Sequence, residues 1–139
     1  MEKEDCKDIF KKNNIRSTKQ RHQILNIIKE NKIPLTASEI SELLEEKNIN
    51  IRLSTIYRNL KLFTEKGILR QLNFYEDEKR YEILNKKHHQ HLICVNCGEI
   101  LPIKCPLAQF EKKIEKETSY QIKKHDMELY GVCPECQDK

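Results

Sequence analysis

At 139 residues, with 37% hydrophobic and 35% charged residues, the chain suits one domain or two small ones, and a folded, soluble, highly charged protein fits it better than a disordered one. No apolar run approaches the ~18 residues that span a bilayer, and the opening "MEKEDCKDIF" lacks the apolar segment of a signal peptide, so a cytoplasmic protein with no membrane partner is expected. In a reducing compartment, paired cysteines read as metal ligands or redox groups rather than disulfides.

The net charge of +4 is modest but unevenly placed. Between Lys11 and Arg21 there are five basic residues and no acid, Arg16, Lys19 and Arg21 among them; Lys47, Arg52, Arg58 and Lys61 form a second stretch without an acid. Both can face a polyanion, although on charge alone a solvated helix surface is the plainer reading.

Residues 1–66 look helical. "STKQRHQILNIIKENK" offers Ser17 and Thr18 as N-caps ahead of Ile24, Leu25, Ile27 and Ile28. "TASEISELLEEK" begins with a Thr36/Glu39 capping box and sets Ala37, Ile40, Leu43 and Leu44 on one helical face. "LSTIYRNLKLFTEKG" spaces Ile56, Leu60 and Phe63 helically and stops at Gly67. "ILRQLNFYEDEKRYEIL" then puts Ile68, Leu72 and Phe74 on one side, turns at Glu76–Lys79 and returns, a β-hairpin. Three helices followed by a hairpin predict a winged helix over residues 1–84, with the third helix in the major groove of double-stranded DNA. That helix opens with Ser54, Thr55, Tyr57 and Arg58, whose hydroxyls, phenol and guanidinium suit base edges and phosphates. The competing assignment puts Tyr57 in the core and pairs Arg58 with an acid.

Residues 85–139 have a different character. "HLICVN" and "EILPIK" predict short strands, "PLAQFEKKIEKET" a helix with Pro106 at its first position and Leu107, Phe110 and Ile114 on one face, and "YQIKKHDMELYGVC" a final strand or pair of strands. So few large apolar groups make a thin core, which a metal and a dimer partner usually supplement.

Cys94-x2-Cys97 and Cys133-x2-Cys136 are two knuckles 35 residues apart. A two-residue spacer lets both sulfurs reach one ion, and two knuckles close a tetrahedral shell of four thiolates, a structural zinc site without an open position. A thiol redox pair would not need the second knuckle. His89 and His91 alternate on the same strand and share a side, opposite His88 and Gln90. Two further sites are thereby open: one with Glu82 of the hairpin joining His89 and His91, another with His125 of the later strand meeting His88, with Cys105 as a further thiol within reach. A polar, exposed histidine run is the bland alternative.

Taken in order, "RSTKQRHQIL", "LTASEI", "STIYRNLKLFTEKGI", "HHQHLICVNCG" and "HDMELYGVCPEC" resemble the ferric uptake regulator family over nearly the whole chain, from about Ile9 to Cys136. The resemblance implies a homodimeric, metal-dependent transcription factor of α+β class: an N-terminal winged helix (1–84) and a small α/β dimerisation domain (85–139) with a four-cysteine zinc site. It matches Cys94, Cys97, Cys133 and Cys136 to structural zinc ligands, Glu82, His89 and His91 to a regulatory site at the hinge, and His88 and His125 to an additional site. The chain departs from the family pattern at Pro34 and Pro102, where ligands often stand, and at Gln90, where the second site often has Asp. "PIKCPLAQF" is similar to a segment of some zinc uptake regulators, and a small N and S donor set suits tetrahedral zinc better than octahedral ferrous iron. The expectation is therefore a zinc-responsive repressor of metal uptake genes, with iron, manganese or peroxide response as alternatives. A zinc hydrolase on His89 and His91 lacks any H-E-x-x-H-like motif, and a zinc-ribbon interaction module would not need the capped helices and the wing.

Overall fold

In a computed structural model of the protein, residues 5–74, 78–84, 89–123, 125 and 127–138 are described. The chain divides into two compact units, Met1–Leu84 and Asn85–Lys139.

The first unit runs α1 (Cys6–Lys12), α2 (Lys19–Glu30), β1 (Leu35–Thr36), α3 (Ala37–Glu46), α4 (Leu53–Glu65), β2 (Leu69–Leu72) and β3 (Arg80–Ile83). The strands form an antiparallel sheet in the order β1-β3-β2, with Leu35 opposite Tyr81 and Arg70 opposite Glu82. This is a winged helix-turn-helix with one more helix and one more strand than the periodicity showed. Helix α1 turns Cys6, Ile9 and Phe10 inward, and β1 is too short for an alternating pattern. The turn expected over Glu76–Lys79 lies partly outside the described residues.

Helix boundaries follow local chemistry. Thr18, not Ser17, caps α2 by accepting from the Arg21 backbone N–H, while the Ser17 hydroxyl lies 2.6 Å from His22 Nε2. Thr36 and Glu39 close the capping box of α3 in both directions, at 3.1 and 2.9 Å. At the other end, α1, α3 and α4 stop by the same device. A left-handed residue (Asn14, Asn48, Gly67) is followed by an isoleucine whose N–H returns to the carbonyl of Phe10, Leu44 or Phe63 at 2.9 Å. That is the Schellman closure; asparagine and glycine tolerate positive φ, and the isoleucine packs back on the helix. Ile15, Ile49 and Ile68 thus join the core that Ile24, Leu25, Ile40, Ile56, Leu60 and Phe63 build. Cys6 belongs to that core: it is 2% exposed, its thiol donates to Asn26 Oδ1, and burial raises its pKa. Ile68, Leu72 and Phe74 are buried as their spacing predicts; Leu69 is buried too, so this strand is covered on both faces at its start.

The second unit runs β4 (His89–Cys94), β5 (Ile100–Lys104), α5 (Ala108–Thr118), β6 (Glu128–Gly131) and α6 (Pro134–Gln137). Its sheet has the order β5-β4-β6, antiparallel between β4 and β5 and parallel between β4 and β6. Two expectations need correction. Helix α5 starts at Ala108 rather than at Pro106, with Leu107 in the cap position and no side-chain cap bond, because no hydroxyl or carboxamide stands there to fix an earlier start. His125, expected on the later strand, precedes it: among the described residues the tail forms the single strand β6, one of the two forms expected.

Candidate metal centres and nucleic-acid interface

The two cysteine knuckles meet because of the sheet register. Cys94 ends β4 and pairs with Gly131 of β6, so Cys133 follows only two residues beyond the paired position. Gly98, at φ +79°, closes the first knuckle by donating its N–H to the Cys94 carbonyl, a turn that favours glycine. The four sulfurs all lie within 4.8 Å of one another, and Cys97 Sγ is 3.8 Å from Cys133 Sγ. A tetrahedral ion with zinc–sulfur bonds of about 2.3 Å has an edge of about 3.8 Å, so the donor set fits. The backbone N–H of Cys133 donates to Cys94 Sγ at 3.3 Å. With that of Cys97, it lowers the Cys94 thiol to about 6. The Cys136 thiol is pushed up to about 12, chiefly by its hydrogen bond with Cys133 and by burial. Four sulfurs held together in this way favour a dication over four protons.

His89 and His91 project from the same face of β4, their ring centroids 4.9 Å apart, and His91 is 1% exposed. This is not the exposed polar run of the bland reading. Glu82, on β3 of the first unit, is 7% exposed and faces Arg70 across the hairpin at 3.3 Å. Two of the three departures, Pro34 and Pro102, have these surroundings. The Pro34 carbonyl accepts from Arg80 Nη1 at 3.1 Å, and the same nitrogen reaches Glu39 Oε1 at 2.8 Å, so this position locks the sheet to the cap of α3. Pro102 stands opposite His91 on the edge strand β5, where a missing N–H is tolerated.

His125 was expected to meet His88, which lies outside the described residues. The His125 ring lies between Cys105, 2.9 Å from Nε2, and the Glu111 carboxylate at Nδ1. Among the described residues these three do not join a set of metal-type ligands within 4.8 Å of one another. Gln90, 1% exposed, turns to the other face of β4 from the histidines. Its Oε1 accepts from the Met127 N–H at 2.9 Å, and its Nε2 points to Cys105 Sγ at 3.8 Å. Partial burial acts to raise the Cys105 thiol, but the Leu107 N–H, His125 and Gln90 outweigh it and lower its pKa. Cys105 and Glu111 in turn raise that of His125. Sequence reasoning missed Glu111, which no local pattern distinguishes from the other acids of α5.

On α4, the side chains of Ser54, Tyr57 and Arg58 are exposed and Thr55 is half-buried. Tyr57 is 48% exposed, so it is not a core residue, and Arg58 has no ion pair among the described residues. Arg16 and Lys19 are exposed at the start of α2. Arg21 is differently employed: its Nε donates to Asn59 Oδ1 at 3.0 Å and its Nη1 to the Arg16 carbonyl at 2.8 Å. It braces α2 against α4, and Arg21, Arg58 and Lys61 then line one shallow hollow beside Asn59. Asn59 was also missed, although a polar residue within the stripe Ile56–Leu60–Phe63 was its signal.

Among the described residues no helix is long and apolar enough to cross a membrane. The model of the ferric uptake regulator family matches residues 12–130. A peroxide-responsive repressor from Staphylococcus aureus (strain Mu50 / ATCC 700699) is 38% identical over 126 residues, which are 90% of this chain and 84% of that protein. The solved ferric uptake regulator of Helicobacter pylori, described as having three functional metal-binding sites, superposes with a TM-score of 0.82. It is 28% identical and the match covers 96% of this chain and 89% of that one. A zinc-bound manganese uptake regulator gives a TM-score of 0.78 at 27% identity, covering 94% and 99%. The chain therefore belongs to the ferric uptake regulator family, whose members are metal-responsive transcription regulators that bind DNA as dimers, not enzymes.

Proposed function

We propose that this protein is a repressor that reads DNA with α4 and uses a bound metal, zinc in the first instance, as co-repressor of metal uptake genes. Cys94, Cys97, Cys133 and Cys136 would hold a structural zinc. Glu82, His89 and His91 would hold the regulatory ion. Ser54, Thr55, Tyr57 and Arg58 would contact bases, and Arg16 and Lys19 phosphates, with Arg21 setting the pose of α4.

The observation that carries the zinc reading is the donor set. Two imidazoles share one face of β4, Glu82 lies seven residues earlier on β3, and prolines 34 and 102 occupy positions where relatives of the family often have ligands. Three N and O donors suit four-coordinate zinc with a water better than six-coordinate ferrous iron. Such an ion would act as the co-repressor. It shifts the DNA-binding equilibrium only by its difference in affinity between competent and incompetent conformations. Leu101, Phe110, Ile114, Leu129 and Val132 of the second unit are 40–56% exposed. Burial of such side chains against a second copy would supply the dimer contact.

An iron- or peroxide-responsive regulator is the second reading, favoured by the name of the S. aureus relative. Fluorescence anisotropy of a duplex selected by the protein from a random pool, titrated with buffered zinc, ferrous iron and manganese, separates the two. Zinc is expected to drive binding at the lowest free concentration. Binding driven by ferrous iron and lost on peroxide treatment would establish the second reading instead.

A further inference from the structure

Arg70 and Glu82 form an ion pair that the proposed regulator leaves unexplained. The two residues stand opposite each other in the β2–β3 register, so the backbone puts both side chains on one face of the hairpin. Their side chains are 20% and 10% exposed, and Arg70 Nη2 lies 3.3 Å from Glu82 Oε1. A carboxylate buried to this degree needs a countercharge, and Arg70 supplies one within ion-pair distance.

The grip is loose. A charge-assisted N–H···O bond usually measures about 2.7–2.9 Å, and arginine commonly holds a carboxylate with two parallel bonds. Here the contact is longer, and Arg70 Nε is buried with no hydrogen-bond partner among the described residues. A buried guanidinium nitrogen left without a partner costs free energy that a forked grip would recover. Arg70 therefore supplies charge at this position rather than a locked geometry.

Under the regulatory reading, on which this inference rests, Glu82 is also a ligand. We propose that Arg70 competes with the regulatory ion for the Glu82 carboxylate and so sets the free metal concentration at which the protein responds. Without the ion, the guanidinium neutralises Glu82. A dication that takes up the carboxylate then meets a cation whose backbone the β2–β3 register holds in place, and its affinity falls. An arginine that orients Glu82 for the ion would have the opposite sign: loss of an orienting partner weakens metal binding by roughly 10–100-fold.

The test uses the full chain with its four cysteines loaded with zinc, and a second equivalent of zinc titrated against a chromophoric chelator. Arg70→Gln is expected to tighten that binding about tenfold, the lower end of what one adjacent opposite charge contributes at a carboxylate. It should also lower the melting temperature before the second equivalent is added, because Glu82 loses its countercharge, and by less once the ion is bound. Should Arg70→Gln fail to fold, Arg70→Lys carries the test. Its compact ammonium lacks the guanidinium fork and should tighten binding in the same direction, by less. Glu82→Gln separates this inference from the reading beneath it. If Glu82→Gln leaves the affinity for the second equivalent unchanged, the carboxylate is no ligand and both fail. If Glu82→Gln weakens binding while the Arg70 variants weaken it or leave it unchanged, the regulatory site stands and the competition is overturned.

Discussion

In the first unit, Phe10, Ile24, Leu25, Ile40, Leu60 and Phe63 are at most 1% exposed and pack into a single apolar cluster. In the second, Ile93, Cys94 and Ile100 are the buried apolar side chains among the described residues, while Leu101, Phe110 and Ile114 remain exposed. The same chain thus uses two means of stabilisation. Residues up to Leu84 bury enough hydrocarbon to hold four helices and a sheet. Beyond it few apolar side chains are buried, four sulfurs converge, and several large apolar side chains stay exposed, so an ion and a partner are expected to supply what side-chain volume supplies in the first unit.

The largest effect that can break this comparison is removal of the structural ion. Binding of structural zinc is worth on the order of 10–16 kcal/mol in small domains, and it is folding energy. Cys133→Ser is therefore expected to abolish hydrogen-exchange protection across β4 and β6 while α2 and α4 keep theirs; persistent protection in β4 would show that the second unit has a sufficient core of its own. Phe63→Ala reverses the pattern. Phe63 is fully buried and stacks on Phe10 at 5.7 Å, so truncation should cost about 3–5 kcal/mol in the first unit. Zinc content, measured by atomic absorption, should not change.

Smaller effects sharpen the comparison within the first unit. Tyr57→Ala and Arg58→Ala should each weaken sequence-specific DNA binding by about 1–3 kcal/mol, without a shift in melting temperature, if they read base edges. Equal losses on specific and random duplexes would place them on phosphates instead. Thr36→Ala removes one half of the capping box and should lower stability by about 1 kcal/mol in chemical denaturation. A loss several times larger would mean that the Arg80–Glu39–Pro34 contacts collapse with it.

The apolar spacing of α2, α3 and α4 and the capping box were legible because each is local, as was the stop at Gly67. The four-cysteine cluster was legible because knuckle spacing encodes a tetrahedral shell. Helix α1 and strand β1 were not, since a seven-residue helix and a two-residue strand carry too little periodicity. The contacts of His125 were hidden for another reason. Cys105, Glu111 and His125 lie on three separate segments, and only the path from β5 through α5 to β6 brings them together. Arg21 was legible as a cation but not as a brace, because its partner Asn59 is 38 residues away.

The central expectation is two ions with separate duties. Its most direct test is the double variant His89→Ala, His91→Ala, measured for zinc content, oligomeric state and metal-titrated DNA binding in the same preparation. The expected result is a folded dimer with one zinc per chain that no longer changes its DNA affinity when zinc, ferrous iron or manganese is added. A variant that keeps the wild-type metal response would show that the regulatory ion is held elsewhere, and the assignment of Glu82, His89 and His91 would be wrong.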